Sequence, residues 1–221
     1  MPETGDGAAA PLTRVLLIRH GEAQSAVDGV IGGARGCSGL SDLGRRQAAA
    51  LRDRFARTGE VELPVRLYAS TLPRAIETGR IVGEALGSPE IVTDCELCEV
   101  HTGDVIDGMT WEHYRRDYPR EGEYDPWVQW GPDVETWAEF SFRTGRRLRR
   151  LVVDHPGETI VVACHGGVIR SSMQAFGGLP LEHSLRLVPT NTSVTEWSHQ
   201  PGHRTPWHLH RYNDAAHLST L

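Results

Sequence analysis

The sequence predicts an α/β three-layer sandwich, with a mostly parallel central sheet and helices on both faces. Three observations carry this reading. Val15–Ile18 and Ile160–Ala163 are unbroken apolar runs of β-forming residues, the pattern of strands buried on both faces. Short strand-like runs alternate along the chain with longer segments of helical periodicity. Both apolar runs lead into a His-Gly pair, His20-Gly21 and His165-Gly166. In sheets of this kind ligands bind beyond the carboxyl ends of the strands, so two distant histidines are expected at one cleft.

The elements follow in order. Strand one, Val15–Arg19, precedes a glycine-rich loop from Gly29 to Gly39. Ser41 reads as the N-cap of a helix with Ala48, Leu51 and Phe55 on one face, ending near Gly59. Val65–Ala69 is a second strand. Ser70-Thr71 reads as the cap of the next helix, whose apolar stripe of Ile76, Ile81, Val82, Ala85 and Leu86 stops at Gly87. Ile91-Val92 is a short strand, and Trp111–Tyr118 a short helix halted by Pro119. The irregular stretch from Glu121 to Asp133 is the expected excursion over a site. A long helix over Val134–Val153 turns Phe140, Leu148, Leu151 and Val152 inward, and the second His-Gly strand follows. Val168–Phe176 is helical, and Ser193–Trp197 and Trp207–Tyr212 are late strands.

The 221 residues, 39% hydrophobic and 24% charged, fit a single domain over 14–221. That size needs no disulfide or metal staple. Residues 1–13 read as a disordered lead without the basic start and apolar stretch of a signal peptide, so a cytoplasmic location is expected. No apolar run is long enough for a membrane span. A net charge of -6 argues against nucleic acid or an anionic membrane as partner. Cys37, Cys95, Cys98 and Cys164 are too few for a secreted disulfide framework in a chain this long.

Four features carry chemistry. Arg19-His20-Gly21-Glu22 offers a strand-end imidazole, a forked phosphate donor and a glycine that lets backbone N–H groups approach an anion. Arg74 falls in the first turn of the helix after the second strand, where anions are favoured. His165-Gly166-Gly167 is the second strand end. Leu97-Cys98-Glu99, with Gly103 and Gly108 behind, reads as a loop holding a carboxylate.

Together these motifs resemble the histidine phosphatase superfamily, in its phosphoglycerate-mutase-like branch. Arg19–Glu22 is similar to that family's opening signature, Gly39–Ala48 to its first helix start, Ser70–Thr78 to its Ser-x-Leu-x-Arg-Ala-x-x-Thr segment and Ala163–Pro180 to its second His-Gly-Gly segment. Asn191–Val194 and Asn213–Leu218 are similar to its late strand and tail. The resemblance implies that His20 is the nucleophile, that Arg19, Arg74, His165 and Gly166 hold the phosphoryl oxygens, and that Glu99 protonates the leaving oxygen and later activates water. It implies a metal-independent phosphatase, with no cofactor, acting on a small phosphorylated molecule; a homodimer is the assembly the family suggests, with the oligomeric state open.

Three positions depart from the family pattern. Its phosphate-touching asparagine is Ala26 here, with Gln24 and Ser25 as candidate substitutes. Its Gly-x-Trp-Glu-Gly is Gly103–Gly108, one residue longer, and its Asp-x-Pro-Leu is Cys37–Leu40. Arg35, in the loop after the nucleophile, is a candidate substrate contact. Trp111, Trp127 and Trp130 serve equally as cleft wall or core. Arg115-Arg116 read as a solvated helix face, and His208 and His210 as surface or packing residues. Cys95-Glu96-Leu97-Cys98 has CxxC spacing, but only His101 is evident as a further ligand where zinc takes a second pair, so no metal is expected. The competing functions are a phosphoglycerate-type mutase, a non-catalytic phospholigand-binding module and a metal-dependent hydrolase. Cofactor-dependent mutases of the family tend to carry a longer segment between the second arginine and the second histidine, so the resemblance, with a compact Arg74–His165 segment, favours hydrolysis over the mutase. A binding module needs neither nucleophile nor acid, and the metal reading lacks a carboxylate set.

Overall fold

The computed structural model describes residues 10–119, 122–182 and 185–221. Its strands are β1 (Thr13–Arg19), β2 (Val65–Ala69), β3 (Ile91–Thr93), β4 (Thr159–Cys164), β5 (Val194–His199) and β6 (Trp207–Asp214). The helices are α1 (Gln24–Val27), α2 (Asp42–Thr58), α3 (Pro73–Gly83), α4 (Gly103–Ile106), α5 (Trp111–Asp117), α6 (Trp137–Asp154) and α7 (Gly166–Ala175). The sheet order is β3-β2-β4-β1-β5-β6. β1, β2, β3 and β4 pair in parallel, whereas β5 and β6 join antiparallel.

Alternation along β1 builds the two outer layers. Val15 and Leu17 face a core completed by Phe140, Leu148 and Leu151 of α6 and by Val168, Ile169 and Met173 of α7. Leu16 and Ile18 face the opposite core, with Leu51 and Phe55 of α2 and Val82 of α3. The expected three-layer sandwich is therefore the observed one.

Several boundaries differ from expectation. β1 begins at Thr13, not beyond it, because the Thr13 hydroxyl accepts from Gly157 N (2.8 Å) and donates to His155 O (3.3 Å); the lead therefore ends before residue 13. Residues 1–9 and Glu121 lie outside the described residues. The long helix starts at Trp137, after a capping box in which Thr136 and Glu139 satisfy each other's backbone N–H groups. α7 starts at Gly166, directly after the histidine. Ser70 and Thr71 do not cap α3. Its N-cap is Leu72 and its first residue Pro73, which has no N–H to satisfy.

The stretch expected as a glycine loop at 103–108 contains α4. Ile106 of α4 packs with Ile31, Tyr114 and Val134 in a small separate core. The Asp107 carboxylate beyond it accepts from Gly33 N (2.8 Å), Arg35 N (2.7 Å) and Gly36 N (3.0 Å). Asp107 thus ties the glycine loop to the 100–135 excursion. Among the described residues of that excursion, Ile106, Tyr114, Trp130 and Val134 pack together with Ile31 as a cap beside the strand ends.

Candidate active site

β1 and β4 are parallel neighbours in a register that pairs Arg19 with Cys164. The next residue on each strand is a histidine, so the two rings meet, with centroids 5.1 Å apart. β2 lies on the other side of β4, pairing Ala69 with Ala163, and brings Ser70 and α3 to the same edge. Three parallel strands thus deliver the four residues His20, His165, Ser70 and Arg74.

His20 is 8% exposed. Its Nδ1 lies 2.6 Å from the carbonyl oxygen of Gly21. A carbonyl can only accept, so Nδ1 carries the proton and Nε2 presents its lone pair. Arg74, 6% exposed, donates from Nε to that Nε2 (3.1 Å) and from Nη1 to Gly32 O (2.6 Å). Gly21 N donates to Thr78 Oγ1 at 3.1 Å. A Cβ on Gly21 would sit 2.4 Å from Gly44 O, so only glycine lets the two loops approach this closely. Burial, then the Arg74 charge and the Arg19 charge, push the His20 imidazole well below its ordinary value, against the opposing Gly21 hydrogen bond. The ring is therefore neutral at neutral pH.

His165 is fully buried, with Nε2 at 2.8 Å from Ser70 Oγ. Burial, followed by the charges of Arg74, His20 and Arg19, holds it well below the usual imidazole value too. Arg19 donates from Nη1 to Pro189 O at 2.5 Å. Burial, partly offset by Glu99, lowers the Arg19 guanidinium. Arg19 Nε and His165 Nδ1 are both buried without a hydrogen-bond partner among the described residues. Each such group costs about 1–3 kcal/mol, more if charged, unless a ligand satisfies it. Arg19 Nε lies 3.8 Å from the position of a Cβ on Gly166. It therefore adjoins the N-terminus of α7, where backbone donors and the helix dipole favour an anion.

Glu99 faces this edge. Its Oε2 accepts from Gly167 N (3.0 Å) and its Oε1 from Val100 N (3.1 Å). The Arg143 guanidinium donates to the carbonyls of Cys95 (3.1 Å), Glu96 (3.0 Å), Cys98 (3.4 Å) and Glu99 (3.4 Å), while paired with Glu135. One half-buried cation thereby holds the whole acid loop. A cavity of about 530 Å³ opens in front, lined by Arg74, Glu99, Gly167 and Arg170 below and by Trp111 and Trp130 from the cap. Trp127 does not line it and is 64% exposed.

The rim candidates separate. Ser25 is buried, and its Oγ lies 2.4 Å from the position of a Cβ on Gly32, with Arg74 Nη1 3.3 Å from the same point. It therefore sits against the arginine. Gln24 bonds Asp28 Oδ1 at 2.8 Å on an exposed face, and Ala26 is exposed. Arg35 is held by the backbone oxygen of Asp104 and lines a neighbouring cavity of about 210 Å³ that shares Glu99 with the first. Cys98 also lines that second cavity. Its Sγ meets Ser70 Oγ (3.3 Å) and Thr71 Oγ1 (3.0 Å). Burial raises the thiol, but hydrogen bonds from His101, Ser70 and Thr71 outweigh it and bring it down to about 6.

Sequence reasoning missed Ser70 as the partner of His165, and missed Arg143 and Arg170. Arg170 stacks over Trp137 at 4.2 Å, with Nε buried and unpartnered among the described residues. The usable signal was spacing, since Arg170 falls one turn after Gly166 and shares its helix face. Arg143 has no comparable signal, because a mid-helix arginine ordinarily faces water.

The chain is similar to known proteins in sequence and in fold. A metal-independent phosphoserine phosphatase of Arabidopsis thaliana is 26% identical over 216 residues, covering 95% of this chain and 85% of the relative. Phosphoglycerate mutase-like protein 4 of the same plant is 29% identical over 219 residues, covering 96% and 90%. A mycobacterial glucosyl-3-phosphoglycerate phosphatase, solved with VO3, superposes with a TM-score of 0.74 at 26% identity, covering 91% of this chain and 99% of that one. Residues 15–215 match one family description from the first strand to the tail, and with paired strand-end histidines on a shared sheet the chain belongs to the histidine phosphatase superfamily, branch 1.

Proposed function

We propose that the protein is a phosphatase that hydrolyses a small phosphomonoester through a phosphohistidine at His20, with arginines rather than a metal supplying the positive charge. The observation that carries this reading is the His20 ring. Nδ1 is spent on the Gly21 carbonyl, and a neutral Nε2 lone pair faces a buried arginine. A phosphoryl oxygen that takes over the Arg74 guanidinium frees that lone pair for attack at phosphorus.

In the first step the Nε2–P bond forms and the ester P–O bond breaks, with Glu99 giving its proton to the departing oxygen. In the second, the Glu99 carboxylate takes a proton from water as the water attacks phosphorus, and neutral His20 leaves. Arg19, Arg74, His165 and the α7 N-terminus at Gly166 hold the equatorial oxygens. At an effective dielectric near 20, one cation about 4 Å from a phosphate charge contributes about 4 kcal/mol before desolvation. Arg170 extends this charge beyond the reacting centre. It supports a substrate that carries a second anionic group, such as a carboxylate, a feature shared by the phosphoserine and phosphoglycerate esters named for the relatives.

The test is a quench of enzyme with labelled phosphomonoester, in wild type and His20→Ala, with and without chelator. The reading expects acid-labile, base-stable label on wild type only, unaffected by chelator, turning over to free phosphate. Unlabelled wild type refutes the covalent step, and label passing to an isomerised ester identifies a mutase.

A further inference from the structure

The structure brings together three soft-metal ligands that the phosphatase reading does not use. Cys95 opens a 3₁₀ turn over Cys95–Leu97, and Cys98 N donates to Cys95 O at 3.0 Å. This turn places both sulfurs on one side. His101 then folds back, so that its Nε2 lies 3.5 Å from Cys95 Sγ. The two Sγ atoms and a His101 ring nitrogen all lie within 4.8 Å of one another.

We propose that Cys95, Cys98 and His101 form a binding site for one soft divalent cation, with Zn²⁺ the fitting ion. Tetrahedral zinc, with Zn–S about 2.3 Å and Zn–N about 2.0 Å, sets an S···N edge of about 3.5 Å and an S···S edge of about 3.8 Å. The observed S···N separation is that edge. Cys95 and His101 are exposed and Cys98 buried, and all three line the cavity of about 210 Å³, which gives the ion access and leaves water as fourth ligand. Hydroxyls of Ser70 and Thr71 stand at 3.3 and 3.0 Å from Cys98 Sγ, the outer-shell support that metal-bound sulfur needs. The Arg143 bonds to the Cys95, Glu96 and Cys98 carbonyls hold the turn in place beforehand.

The expectation of no metal rested on the lack of a second ligand pair. A three-ligand site completed by water does not require one.

Glu99 lies between two of these ligands in sequence, so an ion there fixes the loop that carries the proposed acid. This coupling rests on the phosphatase reading; the site itself does not. The experiment titrates reduced, metal-free protein with Zn²⁺ against a chromogenic chelator, and in parallel with Co²⁺ to read the thiolate-to-cobalt absorption band. One equivalent should bind, with the band lost in Cys95→Ser and affinity at least tenfold weaker in His101→Ala. Both variants alter exposed side chains, so folding is not at risk. No binding, or binding unchanged in Cys95→Ser, overturns the site. Zn²⁺ added to metal-free protein should change phosphatase turnover in wild type and not in Cys95→Ser. Equal turnover of loaded and metal-free wild type overturns the coupling, whereas absence of turnover in either form counts against the phosphatase reading alone.

Discussion

Gly167→Ala tests the placement of Glu99 without touching its carboxylate. A Cβ at position 167 would stand 2.0 Å from Glu99 Oε1 and 2.8 Å from Phe140 Cζ. Real contacts of a Cβ do not fall below 3.0 Å, so the carboxylate must retreat by at least about 1 Å. It does so while its other oxygen loses the line to Gly167 N. A misplacement of about 1 Å costs on the order of 100-fold in rate, or about 2.7 kcal/mol of barrier. The loss should depend on the leaving group, because a proton donor matters only where the departing oxygen is basic. The assay compares kcat for an alkyl phosphate and for a nitrophenyl phosphate, with the thermal unfolding midpoint as control. The alkyl ester should slow by about 100-fold and the nitrophenyl ester by less than about fivefold. Equal losses would mean that the new methyl obstructs the phosphoryl group itself. An unchanged alkyl rate in a folded variant would remove Glu99 from the reaction.

Three further outcomes follow from the same geometry. Arg74→Ala removes a cation worth about 4 kcal/mol to a bound phosphate charge, so kcat/KM should fall by about a thousandfold, and an unchanged value would take Arg74 out of the site. Arg170→Ala should raise KM severalfold for a phosphomonoester bearing a carboxylate and leave KM for an alkyl phosphate unaltered; parallel changes would refute the second-anion role. His20 and His165 stay neutral in the fold, while the unfolded chain protonates near 6.5. Below that pH the unfolded chain binds more protons, so stability is full above 6.5 and falls as the pH drops. The slope is up to about 1.4 kcal/mol per pH unit for each ring. The urea midpoint should therefore decline between about pH 6.5 and 5, above the range in which lowered carboxylates such as Glu60 titrate, and decline less in His165→Gln; a flat midpoint would refute the depressed histidines.

Much of the fold was legible because burial writes itself into sequence. Val15–Ile18 and Ile160–Ala163 had to be continuous apolar runs to serve two cores at once, and the helices facing them carry one-sided stripes. The two histidines were legible for the same reason, since each stands directly after such a run. What did not show was set by contacts between distant segments. Thr136 and Glu139 form an ordinary capping box, hidden because apolar Val134 invited an earlier start. Ser70 has cap chemistry, and only the β2–β4 register shows that its hydroxyl serves His165 and Cys98. The turn from Gly103 to Ile106 is glycine-led and weakly helical by propensity. It forms because Ile106 has a core to enter and Asp107 has three backbone N–H groups to hold. The cysteine turn failed for the opposite reason: the CxxC spacing was visible, but not that His101 folds back onto it.

In the proposed two-step cycle, Arg74, which is buried, and Arg19, which is partly buried, have two uses. Before phosphate binds, burial first and then the charges of Arg74 and Arg19 disfavour a cationic ring at His20 and at His165, and a neutral ring is what a nucleophile must be. A bound phosphate dianion turns the same two charges to a different use, holding oxygens while the phosphoryl group is transferred. When phosphate leaves, they again favour the neutral ring, which is the form in which His20 must depart from phosphorus. This double use demands cations that survive desolvation. Burial lowers the Arg19 guanidinium, yet it starts far above neutrality, whereas a lysine starts about two units lower and loses its proton readily when buried. The forked geometry adds a second requirement, since Arg74 must reach His20 Nε2 and the Gly32 carbonyl at once. A single ammonium on a flexible stem satisfies neither condition, so the electrostatics of the cycle, and not phosphate affinity alone, select arginine at both positions.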